Sequence, residues 1–310
     1  MGKRLSHAVW MCGATHPSQM GAQPENSAVD ALLRIITPIA NSISKKKSTN
    51  KNPTRPAILT HNIEGAFNQV HLETLQEIIP QRRTPVYLTN WVDTFNTAQK
   101  MAFGFDRQSE PPQPYRCGLP QGSPISAILF LIYSNAMLDN QNDSTDTINT
   151  SNVDYVCMIQ LSRTVPEANA RLVERTEQHL ENGAHLGLTF ATPKTELLYC
   201  LPLTSKDKNK SLSSHPLLRV LGVTMLAEGQ INYLGVFIDE LLTFKYHASM
   251  AAVRASKVLG SLNFLRHRSR GIPARIAHHL TMTAVLPAMF WASPAWWTDT
   301  PGVAATLRVA

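Results

Sequence analysis

The residues best suited to hold a ligand lie in one segment, residues 115–124, with the sequence YRCGLPQGSP. Its two glycines let a ligand or a second backbone approach closely, because they carry no side chain. Ser123 can cap a helix, Pro124 suits the first helical position, and the apolar residues up to Leu138 predict a buried helix. The free N–H groups at the start of a helix favour an anion. The segment therefore predicts a binding loop at a helix start.

A second polar group follows the apolar run at residues 57–60, AILT, which is consistent with a buried strand. The next residues, 62–68, read NIEGAFN. Polar side chains at that point project from the end of the strand, where ligands often bind. Residues 57–68 are therefore the second candidate site segment.

Long helical patterns are separated along the chain from short strand-like ones. Apolar residues at helical spacing predict helices near 29–39, 67–78, 125–138 and 166–186, and again from 248 onward. Strands are predicted at 57–60, 153–161, 190–203 and 233–238. This order favours an α+β fold over a doubly wound sheet.

Composition narrows the class of protein. The 310 residues include 29 Lys and Arg against 22 Asp and Glu, a net charge of +7, which favours nucleic acid as partner and an acidic membrane surface second. Two basic stretches, 44–56 and 266–270, could contact phosphates or be solvated loops. Four scattered cysteines without a CxxC pair fit a reducing, intracellular compartment, nucleus or cytoplasm. No run of about 20 apolar residues predicts a membrane span.

Several segments together resemble the reverse transcriptase domain of non-LTR (LINE-like) retrotransposons. The most diagnostic is GLPQGSPIS at 118–126, with IEGAFN at 63–68 before it and PKTE at 193–196 and YLGVFID at 233–239 after it. Gln19-Met20-Gly21 resembles a block of the family's fingers, and residues 248–300 resemble the start of its thumb. Chance agreement of so many blocks in the family's order is improbable.

The resemblance implies a right-hand polymerase fold, α+β, with a small antiparallel palm sheet packed on helices. It implies partial fingers with a basic loop at 1–56, a palm at 57–240 with an insertion around 80–117, and a partial thumb at 241–310. The expected activity is RNA-directed DNA synthesis by two Mg²⁺ ions, with RNA template, DNA primer and deoxynucleotides as partners and no membrane. The remainder of a larger polyprotein is expected to be missing.

The catalytic positions depart from the family pattern. The family places one Asp at the end of the first palm strand and an Asp pair at a hairpin turn. Here Asn62 stands at the first position, and Asp154 and Tyr155 stand at the pair. Asp154 is thus the expected metal ligand, with Glu64 as a possible substitute on the face of Asn62. Because two Mg²⁺ ions bring four positive charges to one carboxylate, we expect a severely impaired or inactive polymerase.

The resemblance also implies supporting roles. Phe67 would screen the 2′-OH of the incoming nucleotide, or simply be a core residue. Lys194 would act near the triphosphate as charge partner or proton donor, or be a surface lysine. Further binding residues are implied for nucleotide and template (Gly118, Gln121, Gly122) and for the primer grip (Tyr233, Leu234, Gly235).

Three interpretations remain open from the sequence. The chain is a reverse transcriptase domain with lost or feeble catalysis, a non-catalytic module that binds nucleic acid, or a fragment of an element without function. In the second case the basic stretches matter and Asp154 does not.

Overall fold

The computed structural model describes residues 2–44, 55–102, 104–106, 108–114, 117–139, 144–200, 217–220, 223–266, 271 and 273–297. Most of the two basic stretches, at 45–54 and 267–270, lies outside the described residues. Their contact with phosphates therefore stays a prediction.

A four-stranded antiparallel sheet forms the centre of the chain, in the order β6-β7-β1-β8. Its strands are β1 (Arg55–Asn62), β6 (Thr147–Asn152), β7 (Tyr155–Ser162) and β8 (Glu196–Tyr199). Strand β1 is buried along nearly its whole length because it lies between two neighbours and is covered on both faces. The apolar run AILT predicts this burial, and the structure confirms it.

The structure describes six α-helices in the first two thirds of the chain. They are α1 (Gly2–Met11), α2 (Ala28–Ser44), α3 (Leu72–Gln81), α4 (Val86–Thr97), α5 (Pro124–Leu138) and α6 (Val165–His185). Helix α5 is buried on almost every side, as its uninterrupted apolar sequence predicts. Four short strands between α4 and α5 form two small antiparallel pairs: β2 (Lys100–Met101) with β5 (Gln113–Pro114), and β3 (Gly104–Phe105) with β4 (Gln108–Ser109).

The two faces of the sheet pack against different partners. On one face Ala57 and Leu59 of β1 pack against Leu172 of α6. On the other face Ile58 packs in a cluster with Leu32 of α2 and with the C-terminal part of the chain. The alternation of side chains along β1 produces this division, since successive residues point to opposite faces.

The C-terminal part begins with two hairpins and ends in helices. The hairpins are β9 (Leu218–Val220) with β10 (Val223–Met225), and β11 (Gln230–Tyr233) with β12 (Val236–Asp239). Helices α7 (Lys245–Arg266), α8 (Ala274–Leu280), α9 (Leu286–Met289) and α10 (Ser293–Trp296) follow, with a π turn at Thr281–Val285. None of the described helices is long and apolar enough to cross a membrane.

The region after β1 differs from the single helix that its apolar spacing predicts. It forms a short 3₁₀ turn, Ala66–Gln69, and only then helix α3. The backbone N–H groups of Gly118 and Leu119 donate to the carbonyls of Val70 and Phe67, each at 2.7 Å. Because these two carbonyls accept from the loop, they do not serve as acceptors in a helix through residue 70. A loop that is distant in sequence therefore decides the local structure.

Candidate active site

The polar residues predicted to meet do lie together at one end of the sheet. Strands β6 and β7 are joined by a tight turn, Val153-Asp154, in which Val153 has a left-handed φ of 61°. Tyr155 is the register partner of both Asn152 and Asn62, so β1 ends beside this turn. The Asp154 carbonyl also accepts a hydrogen bond from the N–H of Ile63 at 2.9 Å. Asn62, Asp154 and Tyr155 therefore form one cluster.

The cluster carries little negative charge at neutral pH. Burial raises the pKa of the half-buried Asp154 carboxyl, and nearby Lys194 partly opposes that effect. Burial also raises the pKa of the Tyr155 phenol to about 12, so this side chain stays neutral. Asn62 has no charge to offer. Asp154 is thus the one group of the three that can be anionic.

These residues do not fit a centre for two magnesium ions. Magnesium prefers hard, anionic oxygen ligands in a regular arrangement. Among the residues that the structure describes, no three His, Cys, Asp or Glu side chains converge on one metal-sized position. The backbone N–H of Glu64 donates to the Thr189 carbonyl, and the Glu64 side chain is exposed. This carboxylate belongs to no metal-holding group of described residues.

A buried glutamine, Gln19, holds the Val153-Asp154 turn by hydrogen bonds. Gln19 is completely buried and pairs with Ser151 in a short parallel bridge to β6. Its side-chain oxygen accepts from the N–H groups of Gly21 at 3.0 Å and Val153 at 3.2 Å. Its side-chain nitrogen donates to the Ser151 hydroxyl at 3.2 Å. One side chain therefore satisfies the strained turn residue and ties the N-terminal segment to it.

Gly21 is expected to tolerate no side chain. A Cβ there would meet the Asn152 side chain and lie 2.7 Å from the backbone nitrogen of Val153. Since backbone cannot yield as a flexible side chain can, Gly21→Ala should lower the free energy of unfolding by about 1–3 kcal/mol.

Chemical denaturation measures that loss, with Gly260→Ala in α7 as the matched control. Among the described residues, nothing beyond the backbone of α7 and the chain neighbours lies within 4 Å of a Cβ at Gly260, so this change should be neutral or stabilise by up to about 1 kcal/mol. Equal effects of the two substitutions would show that the contact at Gly21 is unimportant.

The GLPQG loop lies beside the 3₁₀ turn Ala66–Gln69, and its residues 120–122 are open to solvent. Gln121 is exposed and its amide lies 3.5 Å from the Asn68 side chain. Gly122 has a φ of 88°, which favours glycine, and nothing lies within 4 Å of its missing Cβ. Gly118 is held inside the fold by its bond to Val70. The exposed part of the loop leaves room for a ligand.

Phe67 and Lys194 lie near this loop and the turn. The Phe67 ring is partly buried, 5.1 Å from the Phe130 ring between centroids, so it shares in the core while keeping an exposed edge. Lys194 ends the short 3₁₀ turn Thr192–Lys194, is exposed, and interacts electrostatically with Asp154. The Lys194 ammonium is available to a phosphate.

The predicted primer-grip residues form the turn of the β11–β12 hairpin. Tyr233 is fully buried, so its side chain belongs to the core and does not face solvent. Leu234 and Gly235 make the turn, with φ values of 49° and 82°. Their carbonyls accept from the Trp291 indole at 3.1 Å and the Arg254 guanidinium at 3.3 Å. No motif pointed to Arg254 or Trp291 in this role.

Two histidines behind the cluster were also missed by the sequence patterns. Nε2 of His61, on β1, lies 2.9 Å from Nδ1 of His179, on α6, and both side chains are completely buried. The Phe190 ring packs against both. Nothing in the local sequence indicates this pair, because its members are 118 residues apart.

The fold matches reverse transcriptase-like polymerases. Apo telomerase from Candida tropicalis superposes with a TM-score of 0.53 at 12% identity, covering 100% of this chain and 51% of that one. A form truncated from the C-terminal domain gives 0.52 at 11%, covering 77% and 44%. Telomerase of the same organism with a TWJ fragment of telomeric RNA gives 0.50 at 11%, covering 99% and 56%. This chain thus spans about half the length of those proteins, and at such identities the likeness shows the fold alone.

The sequence shows the family of the chain. The family model described as reverse transcriptase (RNA-dependent DNA polymerase) matches residues 1–238. The chain therefore belongs to the reverse transcriptase family, whose activity is RNA-directed DNA polymerisation. No curated protein matches the sequence at a significant level.

Proposed function

We propose that this chain is a reverse transcriptase domain of non-LTR retrotransposon origin that binds an RNA template and a DNA primer but has lost most or all nucleotide transfer. The observation that carries the proposal is the single carboxylate, Asp154, between Asn62 and Tyr155. Residues 57–240 would be the palm, 1–56 the partial fingers and 241–310 the partial thumb. The retrotransposon origin rests on the motif order, above all GLPQGSPIS.

Loss of transfer follows from the charge of the cluster. The family's reaction depends on two divalent cations held by carboxylates. Each carboxylate missing from such a site removes an attraction of about 4 kcal/mol at a separation of 4 Å in a moderately screened site. Because about 1.4 kcal/mol is a factor of ten in rate, two missing carboxylates account for a loss of several orders of magnitude.

Retention of binding is supported by exposed residues that lie outside the cluster. Gln121 and Gly122 lie in the open part of the GLPQG loop, Lys194 is exposed near Asp154, and none of them needs a metal to contact a nucleic acid. Residues 241–297 contain seven Lys or Arg and no Asp or Glu. Arg254 of this segment donates to the turn of the β11–β12 hairpin, and a segment of that charge suits a polyanion, because each neutralised phosphate releases a counterion.

The test combines binding and extension with the full chain. A labelled RNA template annealed to a DNA primer is titrated at several salt concentrations, and extension is followed with Mg²⁺ and then Mn²⁺. We expect an affinity that falls steeply as salt rises, and no product above a no-enzyme control. Extension at the rate of a working reverse transcriptase would contradict the lost transfer. Binding that is absent at low salt would contradict the retained function and favour a fragment without one.

A further inference from the structure

Asn232 joins the β11–β12 hairpin to the sheet by two hydrogen bonds, in addition to the apolar packing between them. Its backbone N–H donates to Oε2 of Glu196, on β8, at 3.0 Å. Its backbone carbonyl accepts from the hydroxyl of Tyr155, on β7, at 3.0 Å. Two side chains of the sheet thus bind both backbone polar groups of one residue of β11, where no strand ladder joins the hairpin to the described sheet. We name Tyr155 and Glu196 the Asn232 clamp.

Packing reinforces the Tyr155 side of the clamp. The Tyr155 ring lies 5.4 Å from the ring of the buried Tyr233, between centroids, with the planes tilted by 48°. The Tyr155 hydroxyl also approaches the Thr60 hydroxyl at 3.4 Å. The phenol is therefore oriented by aromatic contact and by two oxygen partners, which fixes the direction of its hydrogen bond to Asn232.

The turn of the hairpin is held by the C-terminal part of the chain. Trp291, which lies between α9 and α10, and Arg254 of α7 donate to the carbonyls of Leu234 and Gly235 in the turn. The hairpin is consequently bound to the sheet at Asn232 and to the C-terminal part at its turn. A shift at Asn232 must change where the turn lies relative to the sheet.

We propose that Tyr155, at the position of a family metal ligand, is here a positioning residue that sets the place of the Leu234–Gly235 turn for the primer end. This positioning role rests on the proposed function, because it assumes that a primer is bound. An aspartate at this position could not act in the same way. A carboxylate has no proton to donate to the Asn232 carbonyl, and it would lie near the carboxylate of Glu196.

Amide hydrogen exchange of the full chain tests the clamp without any ligand. Tyr155→Phe keeps the ring and removes the hydroxyl, so exchange of the amides at 231–235 should become about fivefold faster, the usual effect of one lost hydrogen bond. Tyr199→Phe is the matched control, since its hydroxyl binds the Asn169 side chain on the other face of the sheet. Unchanged exchange at 231–235, or an equal increase in the control, would overturn the clamp.

Two substitutions of Glu196 test whether its hydrogen bond to the Asn232 N–H is what slows exchange at 231–235. Glu196→Gln keeps an oxygen that can accept from the Asn232 N–H, so exchange at 231–235 should stay close to that of the unmodified chain. Glu196→Ala removes the acceptor and should accelerate the same amides as Tyr155→Phe does. Equal acceleration by both Glu196 variants would contradict the hydrogen bond as the cause.

Fluorescence of 2-aminopurine at the primer 3′ end tests the positioning role. Tyr155→Phe should reduce the change in 2-aminopurine fluorescence on binding about fivefold. It should leave the affinity for single-stranded RNA unchanged. Equal losses for both ligands, or no loss for either, would overturn the positioning role. If the unmodified chain binds no hybrid, the proposed function and the primer role fail together, while exchange still decides the clamp.

Discussion

The double variant Asn62→Asp, Tyr155→Asp is expected to bind Mn²⁺ at least about 100-fold more tightly than the unmodified chain. The reason is geometric: residues 62 and 155 are register partners beside the Asp154 turn, so both new carboxylates would lie next to the existing one. Three carboxylates in place of one would offset most of the charge of two divalent ions. Even half of the attraction estimated for one pair is worth more than a factor of ten in affinity.

Calorimetric titration with Mn²⁺ measures the affinity, and primer extension measures the consequence. We expect extension by the double variant only, with circular dichroism showing that all variants fold. The control is Asn90→Asp, Tyr87→Asp, which makes the same two replacements on the exposed surface of α4. Equal Mn²⁺ affinity of the unmodified chain and the double variant would refute the charge argument. A double variant that binds Mn²⁺ but does not extend would show a second cause of inactivity.

The double variant should also be less stable than the unmodified chain. Replacing Tyr155 removes its hydrogen bond to Asn232 and its contact with Tyr233. Activity of the double variant is therefore best measured well below its unfolding temperature. We therefore expect the double variant to gain metal affinity and to lose stability. A residue that holds a metal replaces one that stabilises the fold at the same position.

The second large effect is expected on acidification, through the buried histidine pair. Burial lowers the pKa of His61 to about 4 and holds the pKa of His179 well below its usual value. In the unfolded chain both imidazoles take up protons near pH 6.5. Between about pH 6.5 and 4 the unfolded state therefore binds more protons, and the free energy of unfolding falls as the pH falls. Each histidine contributes up to about 1.4 kcal/mol per pH unit, so the loss from pH 6.5 to 5 should be about 3 kcal/mol.

Urea unfolding at a series of pH values measures the slope. His179→Gln keeps a hydrogen-bonding side chain that does not titrate, so it should reduce the slope below pH 6.5. His278→Gln, on the exposed surface of α8, should leave the slope unchanged. His247 is also held near a pKa of about 4, by burial and by Arg254, so part of the slope should survive in His179→Gln. An identical slope in the two variants would refute the role of the pair.

Much of the fold was predictable because it depends on local patterns. The apolar run of β1, the uninterrupted apolar stretch of α5 and the cap at its start are signals within a few residues of one another. The motif order predicted the family, and the residue types at 62, 154 and 155 are the basis for the predicted deficit of carboxylates. The helix predicted through Phe67 was wrong in its first turns, because carbonyls at 67 and 70 are taken by a loop about 50 residues away.

The sequence by itself therefore determined the elements, the family and the charge of the site. Only the tertiary structure decided what supports that site: Gln19 beneath the Asp154 turn, the Tyr155 hydroxyl on Asn232, and His61 against His179. These pairs are separated by 134, 77 and 118 residues, and each consists of residue types that are common in many roles. The physical reason is that secondary structure follows from the spacing of neighbouring residues. The partner of a buried polar group, in contrast, is set by how distant elements pack, and no local pattern records it.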